Sequence, residues 1–148
     1  MAQFIGIVLA ILGASPAAHA TLGELEYSVN SDVKAFASSQ KVTRAERFSV
    51  HTLSGGPSTV KEFVSPDGMV FAVSWRGMKP PDLSVLFGKY FKEYDERFKN
   101  RARRQRRGSS YTVTSQIVVM TGGHMGDLRG LAIVPSLLPP GVEAKDLQ

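Results

Sequence analysis

The stretch "STVKEFVSPDGMVFAVSW", Ser58–Trp75, decides the fold. Its two halves, "STVKEFV" and "MVFAVSW", are rich in the β-branched and aromatic residues that are typical of strands. The segment "SPDG" between them predicts a turn, because Pro66 fixes φ at the second turn position and Gly68 closes a type I turn. The stretch therefore predicts two strands joined as a hairpin.

A further strand precedes this hairpin. The residues of "RFSVHTL", Arg47–Leu53, alternate in the period of two that is typical of a half-buried strand. The turn segment "SGGP", Ser54–Pro57, then leads into the hairpin. Three strands joined by short turns predict an antiparallel meander. Residues 21–42, in contrast, show no clear pattern.

The helix signal follows the meander directly. Pro80 and Pro81 end the extended segment, and Asp82 offers a side-chain acceptor to the first helical turn. The apolar residues that follow form one helical stripe: Leu83, Leu86, Phe87, Tyr90, Phe91, Tyr94 and Phe98. This spacing favours a single amphipathic helix packed on a sheet over a ligand-binding aromatic box.

The C-terminal part returns to alternation. "YTVTSQIVVM" predicts a fourth strand, "TGGH" a turn, and "HMGDLRGLAIV" a fifth strand. The order β-β-β-α-β-β predicts an α+β domain with a five-stranded antiparallel sheet and one helix on one face. The other face then needs a cover: the N-terminal segment, a partner, or the C-terminal tail that carries Leu137, Leu138, Val142 and Leu147.

The first twenty residues, "MAQFIGIVLAILGASPAAHA", predict a secretory signal peptide. They carry no charge, run apolar from Phe4 to Leu12, and end in the small-residue pattern Ala18-His19-Ala20. The lack of a Lys or Arg before the apolar run departs from the usual pattern, but a buried helix would normally carry a polar face. The apolar run is also shorter than the roughly 20 residues that span a bilayer. We therefore expect residues 1–20 to be removed and residues 21–148 to form a single domain in the periplasm or the medium.

The chain contains no cysteine, which excludes disulfides, thiolate chemistry, Cys-based metal sites and a lipid anchor at position 21. Four ordered segments resemble a known family: "VKEFVSPDGMVFAVSWRG", "PDLSVLFGKYFKEY", "GGHM" and "PSLLPPGV". They are similar to small exported proteins of Gram-negative bacteria grouped as domain of unknown function 2844. The resemblance covers nearly all of residues 21–148. It implies an exported α+β domain and implies no activity, ligand or catalytic residue.

The excess positive charge is local. Seven of the eleven residues from Arg97 to Arg107 are Lys or Arg, and without them 11 basic residues stand against 13 acidic ones. Glu93 and Asp95 lie four residues before Arg97 and Lys99, which predicts two helical ion pairs. The remaining five have no acidic residue nearby: Arg101, Arg103, Arg104, Arg106 and Arg107.

This basic run has three interpretations. The arginines bind anionic envelope material such as lipid phosphate or acidic polysaccharide, they form a solvated loop, or they are a protease site. Because export removes the chromosome as a partner, nucleic-acid binding is not predicted.

Few residues have a pattern that suggests chemistry. His124 lies in "TGGHMGD" near Asp127 and Arg129, where the three residues could form a small polar site. No metal-ligand spacing, nucleophile elbow or phosphate-binding loop is present, so neither a metal site nor a cofactor is predicted. Trp75 either lines a pocket or packs in the core.

These observations favour a non-enzymatic exported module that binds anionic envelope components or an envelope protein. Its predicted contact residues are the five arginines of the basic run, with His124, Arg129 and Trp75 as further candidates. One rival hypothesis is a small hydrolase centred on His124. Another is a structural component of an envelope complex that uses the open face of the sheet. The sequence does not determine the oligomeric state.

Overall fold

The computed structural model describes residues 22–28, 39–102 and 109–147. Within them, seven strands form one antiparallel sheet: β1 (Ser39–Arg44), β2 (Ser49–Ser54), β3 (Ser58–Val64), β4 (Val70–Gly77), β5 (Ser110–Val113), β6 (Val118–His124) and β7 (Asp127–Ile133). The spatial order is β1-β2-β3-β4-β7-β6-β5, so two meanders meet where β4 pairs with β7. The predicted α+β class is confirmed, while the predicted count of five strands is wrong.

Two strands were missed for different reasons. β1 carries one large apolar residue, Val42, and five of its six residues are exposed, so it shows no alternation that a core would impose. The segment "YTVTSQIVVM" forms both β5 and β6, which are joined by a tight loop rather than continuing as one strand. Thr114 closes this loop, because its backbone N–H donates to the Ile117 carbonyl (2.9 Å) and its hydroxyl accepts from the Ile117 N–H (2.9 Å). Because this loop contains neither Gly nor Pro, the sequence did not predict a turn here.

The hairpin between β6 and β7 is displaced from the predicted turn. β6 runs through Gly122 and Gly123, and His124 pairs with Asp127, so the loop consists of Met125 and Gly126. Gly123 has a φ of +112°, and a Cβ at that position would lie 2.1 Å from the Asp127 carbonyl oxygen. The glycine therefore serves close strand pairing rather than the turn itself.

The predicted helix is present, with one interruption. Asp82 caps its start by accepting from the Ser84 N–H at 2.9 Å. The helix then comprises α1 (Leu83–Phe87), a 3-10 turn (Gly88–Tyr90) and α2 (Phe91–Ala102), with Gly88 at φ +46° marking the break. Both predicted ion pairs of α2 are confirmed, at 3.0 Å for Glu93–Arg97 and 2.5 Å for Asp95–Lys99.

The helical stripe buries Leu86, Phe87, Tyr90 and Tyr94 against one face of the sheet. The opposite face, here called the outer face, carries a second apolar cluster around Phe63, Phe71 and Ile133. A bulge between Phe63 and Val64 leaves Phe71 without a cross-strand partner in the β3–β4 pairing. As a result, the consecutive residues Phe71 and Ala72 both belong to this second cluster. The C-terminal tail covers it with Leu137, Leu138, Val142 and Leu147. The tail therefore provides the cover that the sequence required.

Candidate functional site

A groove of about 700 Å³ lies on the outer face, beside the tail-covered part. Strand register explains its composition. One row of cross-strand neighbours runs Met120, Leu131, Ser74, Lys61, and the next row runs Gly122, Arg129, Arg76, Thr59. These eight residues line the groove, with Leu147 from the tail at its border. The groove is therefore apolar toward β6 and basic toward β3 and β4.

Alternation along each strand directs the cations to this face. In β3, Val60 faces the helices and Lys61 the outer face. In β4 and β7, Trp75 and Ala132 belong to the helix-side core while Arg76 and Arg129 are exposed. Because β3, β4 and β7 are adjacent, three cations from three strands share one surface.

One carboxylate accompanies these cations. The Arg76 Nε donates to Asp127 Oδ1 at 2.7 Å and its Nη2 donates to Oδ2 at 3.0 Å, which is a bidentate pair. These hydrogen bonds lower the pKa of the Asp127 carboxyl and raise the pKa of the Arg76 guanidinium. Lys61 and Arg129 form no ion pair with any residue that the structure describes. The groove therefore carries an excess of positive charge.

The predicted polar site at the hairpin is only partly assembled. Arg129 lines the groove, and His124 pairs with Asp127 at the adjacent end of the sheet. The His124 side chain is exposed, and its Nδ1 lies 3.2 Å from the Met125 carbonyl oxygen. The Asp127 carboxylate hydrogen-bonds to Arg76, and it interacts with His124 and Arg129 through charge alone, which contributes less to its lowered pKa.

Trp75 belongs to the core, although it is among the residues at the groove. It is 4% exposed, its ring centroid lies 6.0 Å from that of Phe87, and a Cβ on Gly130 would lie 2.1 Å from its ring. The tryptophan is therefore placed to pack under the helix rather than to contact a ligand.

The basic run falls almost entirely beyond the described residues. Arg101 lies in the backbone of α2, while Arg103, Arg104, Arg106 and Arg107 lie outside the described ranges. Ser109, two residues after Arg107, lines the groove, and a Cβ on Gly122 would lie 3.6 Å from the Ser109 Cβ. The chain therefore enters the groove directly after the basic run.

Sequence reasoning missed Lys61 and Arg76. Each occupies a polar position of an alternating strand, which by itself indicates a solvent-facing residue. Only the register aligns them with Arg129, and a single sequence does not give that register. The available signal was that Lys61 and Arg129 lie inside predicted strands and that Arg76 directly follows one.

A second polar cluster was also missed, on the helix side of the sheet. The His51 Nε2 lies 3.0 Å from Glu26 Oε1, and its Nδ1 lies 2.9 Å from the Gln40 Nε2. His51 is buried and stands opposite the fully buried Glu62 in the β2–β3 register. This cluster ties the N-terminal 3-10 turn (Glu26–Ser28) to the sheet.

The described residues contain neither a metal-binding cluster nor a helix able to span a membrane. No group of three or more His, Asp or Glu residues is placed to hold a metal ion in residues 22–28, 39–102 and 109–147. Over the same ranges, no helix has the length and apolar character needed to cross a bilayer.

Comparison with known proteins gives a family. Residues 18–147 match the family described as "Protein of unknown function (DUF2844)", and the chain belongs to that family. No curated protein matches the chain. No solved structure matches it either.

Proposed function

We propose that this member of the family is an exported, non-enzymatic module that binds an anionic group of the bacterial envelope in the groove of the outer face. The observation that carries the proposal is the convergence of Lys61, Arg76 and Arg129 on one groove whose described lining residues include no carboxylate, with Asp127 paired to Arg76 next to it. Exposed cations attract an anion over about a Debye length, and contact then adds charge-assisted hydrogen bonds.

The three cations have different roles in this proposal. Arg76 is held by Asp127, so its remaining N–H groups are presented in a fixed orientation. Arg129 and Lys61 pair with no described acid and are available to an incoming oxyanion. The arginine forks suit the two oxygens of a phosphate or carboxylate, while the lysine contributes a point charge.

The apolar side of the groove limits the chemistry. Met120 and Leu131 line the side of the groove opposite Lys61. Leu131 is buried in the tail-covered cluster and Met120 is partly exposed, so a ligand that fills the groove has an apolar part, next to Met120, beside its anionic part. Within the described residues, no hydrogen bond links a groove hydroxyl to a histidine or a carboxylate. The lack of such an activated hydroxyl in the described part of the groove supports a binding function rather than nucleophilic catalysis.

The location outside the cytoplasm is supported by the sequence. The apolar run Phe4–Leu12 and the pattern Ala18-His19-Ala20 have the order of an export signal. The basic run directly before Ser109 would add positive charge next to the groove. We therefore expect the basic run and the groove to contact the same anionic material.

Titration of the purified protein with inorganic pyrophosphate at two salt concentrations tests the binding. We expect salt-sensitive binding that weakens roughly fivefold for each cation removed, so about 25-fold in a Lys61→Ala, Arg129→Ala double variant. The matched control is Arg44→Ala with Lys92→Ala, which removes two exposed cations that do not line the groove. Absent binding, or an equal loss in the control, would show that the groove is not the site.

Mass spectrometry of the protein from fractionated cells tests the export separately. We expect a mature chain that begins at Thr21 in the envelope fraction or the medium. A full-length chain in the cytosol would contradict the proposed location. The titration would still test whether the groove binds an anion.

A further inference from the structure

Two exposed methionines lie at the end of the sheet that borders the groove. Met125 is at the tip of the β6–β7 hairpin and is 97% exposed, and Met78 follows β4 directly and is 67% exposed. β4 and β7 are paired up to Gly77 and Leu128, so the two methionines extend from the same end of neighbouring strands. We propose that this end of the sheet docks on an anionic phospholipid membrane, with the methionines inserted among the lipid headgroups.

The backbone holds Met78 in place. Its N–H donates to the Pro57 carbonyl at 3.0 Å, and the hydroxyl of Ser58 donates to the Lys79 carbonyl. The methionine is therefore fixed to the β2–β3 turn while its side chain remains exposed. Neither methionine belongs to an apolar cluster of the core, so the fold gains no burial from either of them.

Cations lie at the same end of the sheet as these two side chains. Arg76 and Arg129 adjoin the last paired residues of β4 and β7, Lys79 follows Met78, and all three are exposed, with Arg76 paired to Asp127. A single exposed apolar residue needs no special explanation, but two beside three cations form an amphipathic surface. Such a surface complements a membrane, where phosphates attract the cations and the headgroup layer takes up the flexible, polarisable methionine side chains.

This inference rests on the proposed function, because the docked lipid supplies the phosphate that the groove binds. It adds that the anion belongs to a lipid surface rather than to a soluble molecule. The groove lies next to this end of the sheet, since Arg76 and Arg129 line the groove and directly adjoin the last paired residues, Gly77 and Leu128. A phosphate in the headgroup layer would therefore meet the groove cations once the methionines are inserted.

Sedimentation with vesicles tests the docking. The purified protein is mixed with vesicles of phosphatidylglycerol and phosphatidylcholine, and with vesicles of phosphatidylcholine alone. We expect binding to the anionic vesicles only, weakened roughly tenfold by Met78→Ser with Met125→Ser. The control is Val42→Ser with Val113→Ser, which removes two apolar side chains, each 47% exposed, that lie away from this end. The control variant is expected to bind like wild type.

Titration with inorganic pyrophosphate separates this inference from the proposed function. The methionine variant should bind pyrophosphate like wild type, because the groove cations are intact. If wild type binds pyrophosphate but not anionic vesicles, or if the methionine variant binds vesicles unchanged, the docking inference is wrong and the groove proposal stands. If wild type binds neither, both are wrong.

A tryptophan reporter gives a second measurement. In Met125→Trp, the emission should shift to the blue in anionic vesicles and should be quenched by brominated lipids. The native Trp75 is buried and stays away from the lipid in this orientation. Unshifted, unquenched emission from vesicle-bound protein would show that another surface contacts the membrane.

Discussion

The outer face of the sheet has two parts that share the same strands and differ in what covers them. In the covered part, Phe63, Phe71 and Ile133 pack beneath the C-terminal tail. In the open part, Lys61, Arg76 and Arg129 lie along the same β3, β4 and β7 and line the groove, which the tail reaches at its border with Leu147. A step of two to five residues along a strand thus changes an apolar cluster into a basic surface. The outer face therefore carries a packed apolar region and an open basic region on the same three strands.

The covered part should dominate stability, and Phe71→Ala tests this with the largest expected effect. Phe71 is fully buried, and its ring centroid lies 6.1 Å from that of Phe48 and 6.3 Å from that of Phe63. Removing the ring leaves a cavity, so we expect a loss of about 3–5 kcal/mol in the free energy of unfolding, measured by urea denaturation. A loss below about 1 kcal/mol would mean that the covered part is not a well-packed core.

The tail itself should contribute nearly as much. Leu147 is fully buried against the outer face, so Leu147→Ala should lower the free energy of unfolding by about 2–4 kcal/mol. Lys145→Ala is the matched control, since Lys145 is exposed on the same tail and pairs only with the exposed Glu143. Equal, small losses for the two variants would show that the tail does not seal this cluster.

Gly130 in β7 and Gly122 in β6 lie on adjacent strands and differ in the space available for a side chain. A Cβ on Gly130 would lie 2.1 Å from the Trp75 ring, while one on Gly122 would make ordinary contacts at 3.6 Å. We therefore expect Gly130→Ala to cost about 1–3 kcal/mol through overpacking, and Gly122→Ala to change stability little. Thermal unfolding of both variants measures the difference. Similar melting temperatures would mean that Trp75 moves aside without loss of packing.

In the open part, Asp127→Asn should change binding more than stability. The variant removes the carboxylate that is paired with the groove cation Arg76, so we expect pyrophosphate to bind about two- to fivefold more tightly. Weaker binding would show that Asp127 acts mainly by holding Arg76 in position. Titration calorimetry distinguishes the two results.

The same variant should change the acid dependence of stability. Because Arg76 lowers the pKa of Asp127 in the folded protein, this pair stabilises the fold above the unfolded pKa of about 4. The contribution is lost as the pH falls through the folded pKa. Asp127→Asn should therefore lose less stability than wild type below about pH 4, while Glu93 and Asp82, whose pKa values are also lowered, keep the remaining acid sensitivity. An unchanged acid profile would contradict this.

Much of the fold follows from local sequence patterns. The strands around "SPDG", the Asp82 cap and the apolar stripe through Tyr94 were predictable because each pattern reflects burial on one side. β1 was not predictable, since an exposed edge strand has no core to impose alternation. The Thr114–Ile117 loop was missed because side-chain and backbone hydrogen bonds close it without Gly or Pro.

The groove was less predictable than the fold. Arg129 was a candidate from its position near His124, but Lys61 and Arg76 join it only through the pairing of β4 with β7. That pairing connects segments more than fifty residues apart, and no local pattern encodes it. The predicted grouping of His124 with Asp127 was incomplete for the same reason, because Arg76 arrives from β4 to bind the carboxylate.

The meeting of β4 with β7 has a kinetic consequence. β1–β4 and β5–β7 are each meanders of sequence neighbours, and such local pairings form quickly. The contact that joins them requires a long loop to close, and the Val142 and Leu147 cover arrives from still further along the chain. We expect the docking of the two halves to limit the folding rate, so that a chain still emerging from the ribosome has two locally paired meanders and no pairing between β4 and β7.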